Sequence, residues 1–153
     1  MQLYISHRGN ISGKNPKLEN TLSYLSDAIN LGYHVETDVW LIGEDFYLGH
    51  DEPEHYITIH DLEQLATKAI FHAKNDQSLQ YFATTNFHYF SHENDSVVLT
   101  SKQWLWYYPG INPVLKLNNT AIAVMPESGK AFDMSHFYGI CTDKILHYKR
   151  LYD

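Results

Sequence analysis

Five short runs of strand character crowd residues 87 to 142: Phe87–Ser91, Val97–Thr100, Trp104–Tyr108, Ala121–Met125 and Tyr138–Cys141. The intervals leave little room for helices, so this half of the chain has to build its core mainly from strands. The first half has a different rhythm, β-α-β-β-α-β. Gln2–Ser6 alternates into a short strand ending at His7. Leu18, Leu22, Leu25 and Ile29 then recur at spacings of four, three and four, the stripe of an amphipathic helix, and Gly32 stops it. Tyr33–Leu41 alternates with period two; Phe46–Leu48 is a short extended piece leading into Gly49-His50-Asp51. Asp61–Lys68 reads as a helix with Leu62, Leu65 and Ala66 inward, and Ala69–Lys74 as a strand. The strands near Gln2, Tyr33 and Ala69 bring the main set to eight. A (β/α) barrel of eight strands typically takes ~250 residues. A chain of 153 residues therefore predicts one domain over 1–153, an α/β fold of the trimmed TIM-like barrel type with second-half helices shortened or missing. An open α/β sheet with an antiparallel extension is the alternative.

Composition narrows the function classes. Hydrophobic residues make up 44% and charged residues 19%, enough apolar surface for a core and too little charge for wholesale disorder. The formal net charge is -7, and no Lys/Arg cluster offsets it, Lys149-Arg150 being too short. A nucleic-acid backbone is thereby excluded as the main partner. Cys141 is the one cysteine, so no internal disulfide forms, which suits a reducing compartment. MQLYISHRGN lacks the apolar core of a signal peptide, and no stretch reaches the length of a membrane span. The expectation is a soluble, cytoplasmic protein.

The chemistry lies in three segments: SHRGN at 6–10 with LENT at 18–21, VETDVW at 35–40 with LGHD at 48–51, and FHAK at 71–74. Glu36 and Asp38 sit two apart on one strand, so both carboxylates point the same way, while Val35, Thr37, Val39 and Leu41 share the other face. Two inward carboxylates repel unless something positive joins them. A hard divalent cation answers that need, and Mg²⁺ or Ca²⁺ prefers oxygen ligands. His7 and His50 each end a β segment; two imidazoles near neutral pKa can divide the removal and delivery of a proton. Arg8 carries a planar fork of donors that matches a phosphate. Glu19 is placed at the start of the first helix, favoured there by the dipole and within reach of Arg8. Of the 10 histidines, His34, His55, His60, His136 and His147 read as surface residues.

Taken together, His7-Arg8-Gly9, Glu19-Asn20-Thr21, Glu36-Thr37-Asp38 and His50-Asp51 resemble, in order and spacing, the glycerophosphodiester phosphodiesterase family. The match covers residues 1 to about 52, and Thr142-Asp143 is similar to the Thr-Asp that closes that family's last strand. The resemblance implies a barrel with its site at the C-terminal strand ends, a divalent cation on Glu36 and Asp38, catalytic His7 and His50, and Arg8, Lys74 and Glu19 around a small phosphodiester substrate of lipid metabolism.

The pattern departs from the family at its third strand, which usually reads Glu-x-Lys. Here it is His72-Ala73-Lys74. Imidazole suits Mn²⁺ or Zn²⁺ better than Ca²⁺, so either the metal differs, or it is weakly held, or His72 does not ligate. Lys74 can hold a phosphate oxygen as a point charge. Residues 86–110 add His88, His92, Glu93 and Asp95, with His92 the preferred candidate to complete the site. Trp104, Trp106 and Tyr108 share a face, for packing ahead of substrate contact; Glu127 puts another carboxylate after a strand. Two other readings stay open: a metal-independent phospholipase C-like lyase, and a module that binds a phosphorylated small molecule without turning it over. Exposed edges and many aromatics leave room for a homodimer.

Overall fold

The structure, a computed structural model, describes residues 1–115 and 119–153. Its order is β1 (Leu3–His7), α1 (Leu22–Asn30), β2 (His34–Ile42), β3 (Asp45–Leu48), β4 (His55–Ile57), α2 (Ile59–Leu65), β5 (Ala69–Ala73), α3 (Asp76–Ala83), β6 (His88–Phe90), β7 (Val97–Leu99), β8 (Leu105–Tyr107), β9 (Ala121–Val124), β10 (Gly139–Thr142) and α4 (Ile145–Tyr152). Two single 3-10 turns, Pro126–Ser128 and Met134–His136, lie between β9 and β10.

The fold is mixed α/β around a curled, half-barrel sheet. Strands β6, β5, β2, β1, β10, β9 and β8 neighbour one another in that order, all parallel. Strand β7 adds an antiparallel eighth beside β8, and the β3–β4 hairpin continues from the far end of β2. The curl brings the two ends of the array together. Phe90 of β6 and Trp106 of β8 lie 5.2 Å apart between ring centroids. Beyond β7, Ser101 donates its N–H to Tyr89 O at 2.8 Å.

Period-two alternation sorts the side chains. On β2 and β5, Val35, Val39, Ala69, Phe71 and Ala73 face outward into a core with Leu25 and Ala28 of α1, Leu62 and Leu65 of α2, and Phe82 of α3. Burying each such large side chain stabilises by ~1.5–3 kcal/mol. Inside the curl, Ile5, Ile70, Phe90, Trp106, Ile122 and Cys141 pack together. Trp106 thus serves packing, as its alternation with Trp104 and Tyr108 implies.

Several boundaries correct the sequence reading. Helix α1 begins at Leu22, and Leu18 is exposed in the preceding turn. Asn20 adopts a left-handed φ of 57°, which keeps the chain out of the helix until Thr21. Glu19 therefore precedes α1 and gains nothing from its dipole. Helix α2 starts at Ile59 because Thr58 and Asp61 form a reciprocal capping box. Helices α3 and α4 and strand β4 are additions. His34 is half-buried, its ring 6.2 Å from Trp104, rather than free on the surface. Among the described residues no α-helix lies between β6 and β10, and none is long and apolar enough to cross a membrane.

Candidate active site

Parallel strands deliver their C-terminal ends to one rim, and the proposed chemistry gathers there. His7 is the last residue of β1 and lies in register with Glu36 of β2; Asp38 of β2 lies in register with His72 of β5. Lys74 follows β5, His92 follows β6, Tyr108 follows β8 and Asp143 follows β10. His50 comes from the turn after β3. That turn is pinned by Trp40, whose Nε1–H donates to Gly49 O at 2.7 Å. A cleft of about 560 Å³ flanks this rim on its β5–β6 side, lined by Trp40, His50, His72, Lys74 and His92 but not by His7, Arg8, Glu36 or Asp38.

Glu36, Asp38 and His72 are buried at the centre. Asp38 Oδ1 accepts from His72 Nδ1 at 2.9 Å, and Lys74 Nζ stands 3.8 Å away. Its Oδ2 accepts from Asn20 Nδ2 at 3.0 Å and lies 3.0 Å from Arg8 Nε and 3.4 Å from His50 Nδ1. Arg8 Nη2 donates to His50 Nδ1 at 2.6 Å, and Arg8 Nη1 lies 3.7 Å from Glu19 Oε2. With Nδ1 accepting from Arg8, the His50 ring proton lies on Nε2, which stands 3.6 Å from Asp51 Oδ1. Arg8 itself holds a left-handed φ of 55°, uncommon for a non-glycine residue. Its N–H donates to Glu36 O and its O accepts from Asn20 N, so both neighbours enforce the conformation.

His7 makes a second dyad. Its Nδ1 donates to Asp143 Oδ1 at 2.7 Å, and its Nε2 faces Glu36 Oε2 at 3.8 Å. An ionised carboxylate only accepts, which fixes the tautomer. Asp143 also accepts from Asn10 Nδ2 at 2.8 Å, which reaches Glu19 Oε1 at 2.8 Å as well. Glu127 completes this side: it accepts from the Asp143 N–H at 2.7 Å and from the Thr142 hydroxyl at 2.8 Å. Its role is to hold the strand end that carries Asp143.

Electrostatics follow from burial and neighbours. Burial and the charge of Asp38 push the Glu36 carboxyl up. Burial pushes Asp38 up too, but the His50 and His72 rings and the Arg8 guanidinium outweigh it and hold Asp38 well below the usual carboxylate range. For His7, burial acts downward, and the Asp143 hydrogen bond with the Glu36 charge raises it overall. Burial and the charge of His72 lower His92.

The donor set fits a divalent cation. Glu36, Asp38 and His72 each offer one ligand atom, all within 4.8 Å of one another, and Glu36 Oε2 is buried without a hydrogen-bond partner. A cation there would balance two adjacent carboxylates.

The structure brings together all eight residues singled out by sequence for catalysis, substrate or metal: His7, Arg8, Glu19, Glu36, Asp38, His50, His72 and Lys74. His92 reaches the rim as a wall, stacked on His72 and on Tyr108 at 5.1 and 4.4 Å, and lies outside the trio of candidate ligands. His88 lies away from the site. It is hydrogen-bonded to the Thr100 hydroxyl at 2.7 Å and pulled down to about 4 by burial and by the charges of Lys102 and His34. Asp143, Asn10, Asn20 and Glu127 are the site residues that sequence reasoning left without a role. Register holds the signal for Asp143: Ser6 pairs with Thr142, so the next residues, His7 and Asp143, emerge side by side. Comparison of the chain with protein-family models, with curated proteins and with solved structures finds no match.

Proposed function

We propose that the chain is a phosphodiester hydrolase acting on a small glycerophosphodiester-like substrate, built as a trimmed (β/α) barrel. One observation carries the reading: His7 Nε2 and His50 Nδ1 approach the adjacent acids Glu36 and Asp38 at 3.8 and 3.4 Å, from opposite ends of the 1–52 segment.

His7 is the base. Its Nδ1–H is anchored on Asp143, so the Nε2 lone pair faces the centre and takes the proton of the attacking hydroxyl, with Asp143 stabilising the imidazolium formed. His50, when protonated with its Nδ1–H turned on Asp38 Oδ2 in place of the Arg8 contact, delivers its Nε2 proton to the departing alcohol and is left neutral. Arg8 and Lys74 offset charge on the phosphoryl oxygens. A divalent cation on Glu36, Asp38 and His72 supplies further charge stabilisation when bound. The attacking hydroxyl belongs either to water or to the substrate alcohol beside the phosphate.

The test is release of free alcohol or cyclic phosphate from glycerophosphodiesters. Turnover should vanish in His7→Ala and His50→Ala, and should fall with EDTA and return with added cation. Binding without product in the wild type would instead favour a phosphate-recognition module. A second reading has its own support: Arg8 and Lys74 already flank Asp38, so two fixed cations could serve a metal-free lyase. EDTA-resistant turnover to a cyclic product would select it.

A further inference from the structure

His72 Nδ1 lies 2.9 Å from Asp38 Oδ1 and 4.0 Å from Glu36 Oε1. Metal–ligand bonds of ~2.0–2.2 Å put adjacent donors about 3 Å apart and opposed donors about 4 Å apart. The spacings therefore match the donor atoms around one small cation. Asn20 and Arg8 hold the other Asp38 oxygen, orienting the carboxylate as outer-shell partners do. The His72 ring is clamped between Phe90 and His92, with centroids at 4.7 and 5.1 Å, so its nitrogen is aimed and not free to swing. Glu36, 3% exposed, brings its Oε1 to that space, while its other oxygen, Oε2, faces His7 Nε2 at 3.8 Å.

An all-oxygen trio would suit Mg²⁺ or Ca²⁺. Here one donor is imidazole, whose affinity rises through Mn²⁺ and Co²⁺ to Zn²⁺. We propose that His72 makes this a mixed nitrogen–oxygen centre selective for a borderline first-row cation over Mg²⁺ and Ca²⁺. The proposal rests on the cation of the function proposed above, but not on its chemistry. On binding, the Nδ1 proton that Asp38 accepts would be released or move to Nε2, and the freed Nδ1 lone pair would take the cation without the clamped ring having to swing. Lys74 moves outward into the cleft it lines.

The experiment is calorimetric titration of EDTA-treated protein with Mn²⁺, Zn²⁺, Mg²⁺ and Ca²⁺, repeated in His72→Glu, His72→Ala and Glu36→Gln, each checked for folding by thermal melting. Because first-row ions bind most sites more tightly than Mg²⁺, the deciding quantity is the change in ratio. The Mn²⁺/Mg²⁺ affinity ratio should fall at least about tenfold in His72→Glu. Nitrogen coupling in the electron spin echo of bound Mn²⁺ should be present in the wild type and absent in both His72 variants. Glu36→Gln should lose the site, which separates it from adventitious surface histidines. An unchanged ratio, a missing nitrogen signal, or no stoichiometric cation would each overturn the proposal. If His72→Glu fails to fold, the nitrogen signal of the wild type against His72→Ala decides alone. Cation binding without turnover would sink the phosphodiesterase reading and leave this one standing.

Discussion

His7 Nδ1 lies 2.7 Å from Asp143 Oδ1 while its Nε2 faces Glu36 at 3.8 Å, so one imidazole at the end of β1 ties together its two neighbours in the sheet, β10 and β2. Asp143→Asn keeps the volume but offers an amide where a charge stood. The tautomer is no longer enforced and the imidazolium loses its partner, so kcat should fall ~10²–10⁴-fold. Asp143 also helps raise His7, opposing burial. Without its charge the His7 pKa drops, and the alkaline-going rise of kcat/KM should move to lower pH. A pH–rate profile with the wild-type limb in place would exclude this role.

His50 tests the second half of the chemistry with little effect on folding. Its side chain is 45% exposed and fills no core. His50→Ala should cost ~10²–10⁴-fold in turnover while the melting temperature falls by no more than about 5 °C, since only its contacts to Asp38 and Arg8 are lost. Near-wild-type turnover, or a large loss of stability, would remove His50 from the mechanism.

Asp38 contributes to stability as well as to the site. Its pKa is held well below the usual value by His50, His72 and Arg8 against the upward push of burial. A carboxyl depressed in the folded state stabilises fully above its unfolded pKa, about 3.9, and loses that contribution as pH falls through the folded value. Asp38→Asn also strands Arg8, so it should destabilise by ~3–5 kcal/mol at pH 7. The gap from wild type should narrow below about pH 4. Urea titrations at pH 7 and pH 3 measure it; an equal gap at both would show that Asp38 titrates as an ordinary exposed acid.

Much of the site was legible because period-two alternation needs no tertiary knowledge. Glu36 and Asp38 alternate against Val35, Thr37 and Val39, and the structure buries the first pair inside the curl and the others among helices. His72 followed from the same parity on β5. What alternation cannot show is contact across the fold. Asn10 and Asn20 look like turn residues, yet they bind Asp143 and Asp38. Glu127 is a loop acid by sequence; only the return of β10 beside it supplies the Asp143 N–H that it accepts. Helix α3 carries no legible stripe because it buries just Ser78 and Phe82. Leu18 continues the spacing of α1 and so draws Glu19 one turn too deep into the helix, while the left-handed Asn20 that ends the stripe is set by Thr37 and Asp38.

Gly49 links backbone geometry to this chemistry and yields a further prediction. Its φ is 155°, and a Cβ there would stand 2.0 Å from Glu52 O and 3.0 Å from Glu54 N. Neither atom can yield freely, since Glu54 N–H donates to Leu48 O at 3.0 Å and closes the turn. Residue 49 is also fixed by its own N–H on Asp38 O at 3.2 Å and by Trp40 on its carbonyl. An added methyl must push the 52–54 turn away and carry the adjacent His50 with it. Gly49→Ala should destabilise by ~1–3 kcal/mol and lower turnover more than the small unfolded fraction explains, with KM less affected than kcat. Gly43→Ala is the control: φ is 63°, nothing lies within 4 Å of its Cβ, and the cost should be about 1 kcal/mol of backbone strain with turnover intact. Equal turnover in the two variants would mean that the β3 turn does not set the position of His50.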